Sequence, residues 1–191
     1  MKIYFLLTLF FSFCVSAHEG HHDLKSQETL PGASIYQLSA NWKDQNSNVI
    51  KLSDLTGTAR MVVMLFTRCE TSCPLIVEDL KRIAAEIEST HPNKIKVTIF
   101  SIDSKRESPA SLQAFALKHH LPDSWTLVTA NEAAVAELAA SLGVRYKRLS
   151  NGDFIHSNVI FFISSQGEII YKKEGLNTPK EEFVRQIKLK L

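Results

Sequence analysis

Apolar positions along this chain change their period repeatedly, and each change marks an element. Met61-Val62-Val63-Met64-Leu65-Phe66 is an unbroken apolar run, which predicts a buried strand. Beyond it Ile76, Leu80, Ile83 and Ile87 recur at i, i+4, i+7 and i+11, a helical stripe that Pro74 opens. Lys96 to Asp103 predicts a second central strand. Ser108-Pro109 opens a helix through Leu112, Phe115 and Ala116 that ends near His119-His120. Trp125 to Thr129 predicts a short strand. Asn131 then caps a helix with Val135, Leu138, Ala139 and Leu142 on its apolar face and Gly143 at its end. Asn158 to Ser164, the turn Gln166-Gly167 and Glu168 to Lys172 predict an antiparallel hairpin. Thr178-Pro179 with Glu181 opens a last helix through Phe183, Val184 and Ile187. Upstream, Ser34 to Ala40 and Val49 to Leu52 predict two short strands joined by the polar turn Lys43 to Asn48, with Trp42 packed beside them. Ser53 to Gly57 predicts a brief turn that delivers the chain to the central strand.

This order of strand, helix, strand, helix, hairpin and helix resembles thioredoxin. No internal repeat and no linker divides residues 34–191. The expected fold is therefore one α/β thioredoxin-like domain: a central mixed sheet flanked by helices, an N-terminal β-hairpin extension and an extra strand–helix unit. A length of 191 residues, 45% of them hydrophobic and 22% charged, suits one such core.

Residues 1–17 fall outside that pattern. Lys2, the apolar stretch of eleven residues from Ile3 to Phe13 and the small residues Val15-Ser16-Ala17 predict a cleaved signal peptide. A stretch of that length is too short for a bilayer span, which needs roughly 20 apolar residues. An uncleaved anchor is the lesser alternative, and bulky Phe13 before Cys14 argues against a lipoprotein site. Cleavage takes one of the 22 lysines and arginines and none of the 20 acids, so net charge falls from +2 to +1. A near-neutral chain without basic clusters offers nucleic acid no footing. Residues 18–33 form a polar segment carrying His18, His21 and His22, read either as a plain tail or as a copper, nickel or zinc binder.

Export makes the cysteines informative. With Cys14 removed, only Cys69 and Cys73 remain, in the turn between the Met61–Phe66 strand and the helix behind Pro74. A loop that short gives a disulfide little to stabilise, whereas helix N-termini favour thiolates. Thioredoxins carry Cys-x-x-Cys; here one more residue separates the pair, which lets both sulfurs face one external atom. Thioredoxins also place a cis-proline opposite the cysteines, where this chain has Asn151 to Asn158 with His156 instead. His156 is so placed to complete a two-sulfur, one-nitrogen site, unless it is an ordinary polar residue at a strand edge. Soft thiolates select Cu(I) and other soft ions, and three ligands suit Cu(I), whereas structural zinc takes four. Met61 and Met64 read as core, and His91, His119 and His120 as solvated helix caps. Arg68 either raises the local positive potential or is an ordinary surface residue. Neither cysteine fits the peroxiredoxin pattern Pro-x-x-x-Thr-x-x-Cys.

Cys69 to Pro74 with His156-Ser157, together with Trp42 to Gln45, Leu52 to Leu55 and Ser101 to Asp103, resembles the Sco (SenC) family of copper proteins. The resemblance implies copper, as Cu(I) with a Cu(II) form also allowed, held by Cys69, Cys73 and His156. It also implies a periplasmic metallochaperone that serves a cytochrome c oxidase subunit or another cuproenzyme, helped by a periplasmic thiol reductant. Two departures stand out. Many members have Asp immediately before the histidine, where this chain has Ile155 with Asp153 further back, and many keep a membrane anchor. The rival function, which needs only Cys69 and Cys73, is a thiol–disulfide oxidoreductase acting on a copper site or another periplasmic protein.

Overall fold

The computed structural model describes residues 29–191. The expected signal segment 1–17, Cys14, and His18, His21 and His22 lie outside the described residues. Nine strands and four α-helices follow in the described part: β1 Asn41–Asp44, β2 Val49–Lys51, β3 Ala59–Leu65, α1 Ser72–Thr90, β4 Ile95–Ser101, α2 Pro109–Lys118, β5 Thr126–Thr129, α3 Glu132–Leu142, β6 Tyr146–Arg148, β7 Phe154–His156, β8 Val159–Ile163, β9 Ile169–Glu174 and α4 Glu181–Lys188. Seven strands form one sheet in the order β2-β1-β5-β4-β3-β8-β9. β3, β4 and β5 run parallel, while β8–β9 and β1–β2 add antiparallel pairs at the two edges. The sheet is mixed and the fold is thioredoxin-like. Among the described residues no helix is long and apolar enough to cross a membrane.

The unbroken apolar run of β3 reflects its place at the centre of the sheet, flanked by β4 and β8, where both faces are covered and Met61 to Leu65 are all buried. Ile76, Leu80, Ile83 and Ile87 are buried as their helical spacing predicts. Trp42 meets the Phe100 ring edge-on at 5.0 Å and belongs to the core. Ser108 caps α2 by accepting from the Ser111 amide, and Asn131 caps α3 by accepting from the Ala134 amide. α3 ends on Gly143 at φ +70, a left-handed turn that glycine adopts without a Cβ penalty. α1 and α4 pack together, and Lys173 of β9 pairs with Asp79 of α1 at 3.0 Å inside the protein.

Three expectations need correction. The N-terminal hairpin exists, but its first strand is Asn41–Asp44 and not Ser34 to Ala40. Ser34 instead caps a short 3-10 turn over Ile35–Gln37, accepting from the Tyr36 amide. Asp44 then accepts from the amides of Asn46 and Asn48 and tightens the turn, so the strand runs on into what read as turn. The last helix starts at Glu181, because the Thr178 hydroxyl donates to the Glu174 carbonyl and caps nothing. Finally, β6 and β7 form a second, two-stranded sheet with no counterpart in the predicted order.

Candidate metal centre

Topology brings the candidate ligands together. β8 is antiparallel to β3, with Val63 opposite Ile160, so the residues before β8 lie beside the exit of β3. β4 is parallel to β3, with Leu65 opposite Ser101, and its exit loop reaches the same end of the sheet. Clefts at the carboxyl ends of parallel strands are the usual binding places in such folds.

The cysteine turn closes when the Cys69 amide donates to the Phe66 carbonyl at 3.3 Å. α1 begins at Ser72, two residues before Pro74, so Cys73 stands inside its first turn and is buried, whereas Cys69 is half-buried. The Cys73 amide, one of the orphan donors of that turn, points at Cys69 Sγ at 3.3 Å. Hydroxyls of Ser72 and Thr71 lie 3.5 and 3.9 Å from the same sulfur. Both thiols are free.

The β6–β7 hairpin brings His156 onto this turn. Phe154 packs on Phe66 with ring centroids 5.2 Å apart, and the His156 ring meets Phe66 edge-on at 6.0 Å. His156 Nε2 lies 3.7 Å from Cys73 Sγ, and its Nδ1 lies 3.1 Å from the Ser157 carbonyl. A carbonyl only accepts, so Nδ1 carries the proton and Nε2 turns its lone pair toward the sulfur. Burial holds the His156 pKa below its usual value against the Ser157 bond, which keeps the imidazole neutral near pH 7.

The two thiols differ sharply, although helix-terminus reasoning treats them alike. Burial opposes ionisation of Cys69, but donors from Ser72, Cys73 and Thr71 outweigh it and bring its pKa down to about 7. Burial pushes the Cys73 thiol far up, and the neighbouring Cys69 adds to the shift. Alkylation of the reduced, metal-free protein should therefore be half-maximal near pH 7 at Cys69 and rise with pH. Cys73 should react only after denaturation. Equal rates at both positions in mass-resolved labelling would contradict the split.

Among the described residues no three His, Cys, Asp or Glu side chains are already gathered at metal-holding distance. Cys73 and His156 are paired, while Cys69 faces its hydroxyl and amide donors. The other candidates stay apart from the site. Met61 and Met64 are core, as expected. Arg68 is exposed. His91 caps α1. His119 caps α2 but stacks on Phe115 at 4.3 Å, and burial lowers its pKa, so the solvated imidazolium expected there is replaced by a half-buried ring. Ile155 is 64% exposed beside His156.

Periodicity alone did not mark the residues that support the site. The Glu107 carboxylate accepts from the Thr67 hydroxyl at 2.6 Å and from the Thr67 amide at 3.2 Å, two residues before Cys69. Burial raises the Glu107 pKa, opposed by its hydrogen bonds to Thr67 and Ser101. The available signal is positional: charged residues cluster just beyond a central parallel strand, where a cleft forms.

The SCO1/SenC family model matches residues 33–190. This chain belongs to the SCO1/SenC family. An SCO1 protein homolog of Bacillus subtilis is 22% identical over 152 residues, 77% of this chain and 78% of that protein. The structure of Arabidopsis thaliana ScoI with copper bound superposes with a TM-score of 0.71 at 16% identity, covering 78% of this chain and 96% of that one. BsSco, in which a disulfide switch has been identified and which belongs to the Sco family of cytochrome c oxidase assembly proteins, superposes at 0.69. It is 22% identical, with 81% of this chain and 92% of that one covered. At these identities the likeness fixes the SCO1/SenC fold, and the chemistry has to come from the residues in place.

Proposed function

We propose that this SCO1/SenC protein is a periplasmic copper metallochaperone, released by removal of residues 1–17, that carries copper on Cys69, Cys73 and His156. Its recipient on this reading is a cytochrome c oxidase subunit or another cuproenzyme, and copper is cargo. The observation that carries the proposal is the 3.7 Å approach of His156 Nε2, lone pair forward, to Cys73 Sγ, with Cys69 in the same turn. Two ligands at roughly 2.0 and 2.3 Å from one metal, the spacings of nitrogen and sulfur in zinc sites, stand roughly 3.5–4 Å apart, so that pair is already near bridging distance. Binding removes the Cys73 proton, and Cys69 supplies a thiolate at neutral pH. Two thiolates and one neutral imidazole make a soft, singly anionic complex with Cu(I). Copper bound in a Sco structure of related fold supports copper as the cargo.

The decisive titration is anaerobic. Reduced protein should take one Cu(I) per chain and hold it against a modest chelator; failure to do so would sink the proposal.

A second reading draws on the thiol split itself. A half-buried Cys69 with a pKa of about 7 beside a buried, protonated Cys73 is the arrangement of an attacking and a resolving thiol. In that reading the Cys69 thiolate attacks a partner disulfide and releases one partner thiolate. Cys73, once deprotonated, then displaces the other from the mixed disulfide. Cys73→Ser should trap that mixed disulfide, and His156→Ala should leave turnover intact. Background insulin reduction by protein that still binds copper would reject it.

A further inference from the structure

The loop between β4 and α2 touches both halves of the site. Glu107 grips the cysteine side through the Thr67 hydroxyl and amide. Arg106, the preceding residue, reaches the histidine side. Its Nε donates to Asp103 Oδ2 at 2.5 Å, and its Nη2 donates to the Gly152 carbonyl at the tip of the β6–β7 hairpin. Asp103 is 1% exposed, so the guanidinium is held by a carboxylate that cannot swing out to water. Gly152 has φ +88, and a Cβ there would stand 2.8 Å from Arg106 Nη1. Glycine thus meets two demands at once, a left-handed turn and a guanidinium lying against the backbone. Gly152 is four residues ahead of His156, on the same short hairpin, which also meets the cysteine turn through the Phe154–Phe66 and His156–Phe66 ring contacts.

We propose that Asp103, Arg106 and Glu107 form a clamp that sets the distance between His156 and the cysteine turn, with Arg106 a positioning residue that acts through His156. The proposal rests on the copper-binding reading for its consequence, though not for its geometry. A planar guanidinium can bridge a carboxylate and a carbonyl at once. Without it the hairpin tip loses its tie to the sheet, and a three-residue ladder holds too little buried surface to keep His156 over the turn alone.

The test uses the reduced mature chain as wild type, Arg106→Met, His156→Ala and the double variant, with Gly152→Ala as a second route to the same contact. Arg106→Met should raise the Cu(I) dissociation constant about tenfold, the scale of changes to groups that orient metal ligands. Combining it with His156→Ala should weaken binding no further than His156→Ala alone. In metal-free protein the amides of residues 149–156 should exchange faster in Arg106→Met and Gly152→Ala, while those of β3 and β4 keep their protection. Additive losses in the double variant, or unchanged exchange across the hairpin, would overturn the clamp. A wild type that fails to hold copper would sink the copper reading alone, and hairpin exchange would still decide the clamp.

Discussion

Replacing either Cys69 or Cys73 by serine is expected to abolish Cu(I) retention, and replacing His156 by alanine to weaken it less. A serine hydroxyl is a hard, neutral donor at neutral pH, while Cu(I) is a soft ion that binds thiolate. Structural zinc sites gain about 10–16 kcal/mol from four ligands, so one lost thiolate is worth on the order of 10²–10³ in affinity. The Cys73 variant should fail more completely, because Cys73 is the sulfur already paired with His156. His156→Ala leaves both sulfurs, so Cu(I) should survive with reduced affinity while any Cu(II) form loses its nitrogen signature in spin resonance. Competition against a Cu(I)-specific chromophoric chelator reads all three. A Cys73→Ser protein as tight as wild type would contradict the ligand set.

The largest expected effect on stability comes from a buried ion pair outside the candidate metal site. Asp79 and Lys173 are 6% and 4% exposed and join α1 to β9, with Arg82 also bonded to Asp79. Asp79→Ala would leave a buried ammonium whose remaining partner is the Gly175 carbonyl at 3.5 Å. Breaking such a pair costs about 3–5 kcal/mol, because the surviving charge has lost its solvation and its counterion together. For a chain of this size that is a fall in Tm of roughly 6–20 °C. Asp79→Leu combined with Lys173→Met should recover most of the loss, since neither charge remains to be desolvated. The exposed pair Arg185–Glu182 is the control: Glu182→Gln should leave Tm unchanged, water already solvating both groups. Thermal unfolding followed by circular dichroism measures all of these. A single Asp79→Ala variant within about 2 °C of wild type would show that the pair contributes little.

What could be read from the sequence followed burial. β3 and α1 were legible because their side chains face a continuous core, and a central strand or an amphipathic helix leaves a period. His156 could be placed opposite the cysteines because β8, which follows it, has to enter the sheet beside β3 in this fold. The β6–β7 hairpin left no such trace. Its strands are three residues each, Lys147 and Arg148 are exposed, and Ile155 points an aliphatic chain into solvent. The N-terminal strand was misplaced for a related reason: Asp44 and Asn48 look like turn residues, and only the structure shows Asp44 buried and closing its own turn. The thiols illustrate a different limit. A helix dipole acts on both sulfurs, yet burial acts mainly on Cys73, and sequence spacing carries no measure of burial.

Redox state should gate any copper function, since a Cys69–Cys73 disulfide has no thiolate to offer a metal. Oxidised protein should bind Cu(I) poorly at this site and regain it on reduction, so on the chaperone reading a thiol reductant shares its compartment. The same competition supplies the most direct test of the ligand assignment. Reduced metal-free and Cu(I)-loaded protein are alkylated side by side under denaturant too mild to strip copper, and modified cysteines are counted by mass. If Cys69 and Cys73 hold the metal, the free protein gains two adducts and the loaded protein none. Equal labelling of both forms would show that the sulfurs are not the ligands.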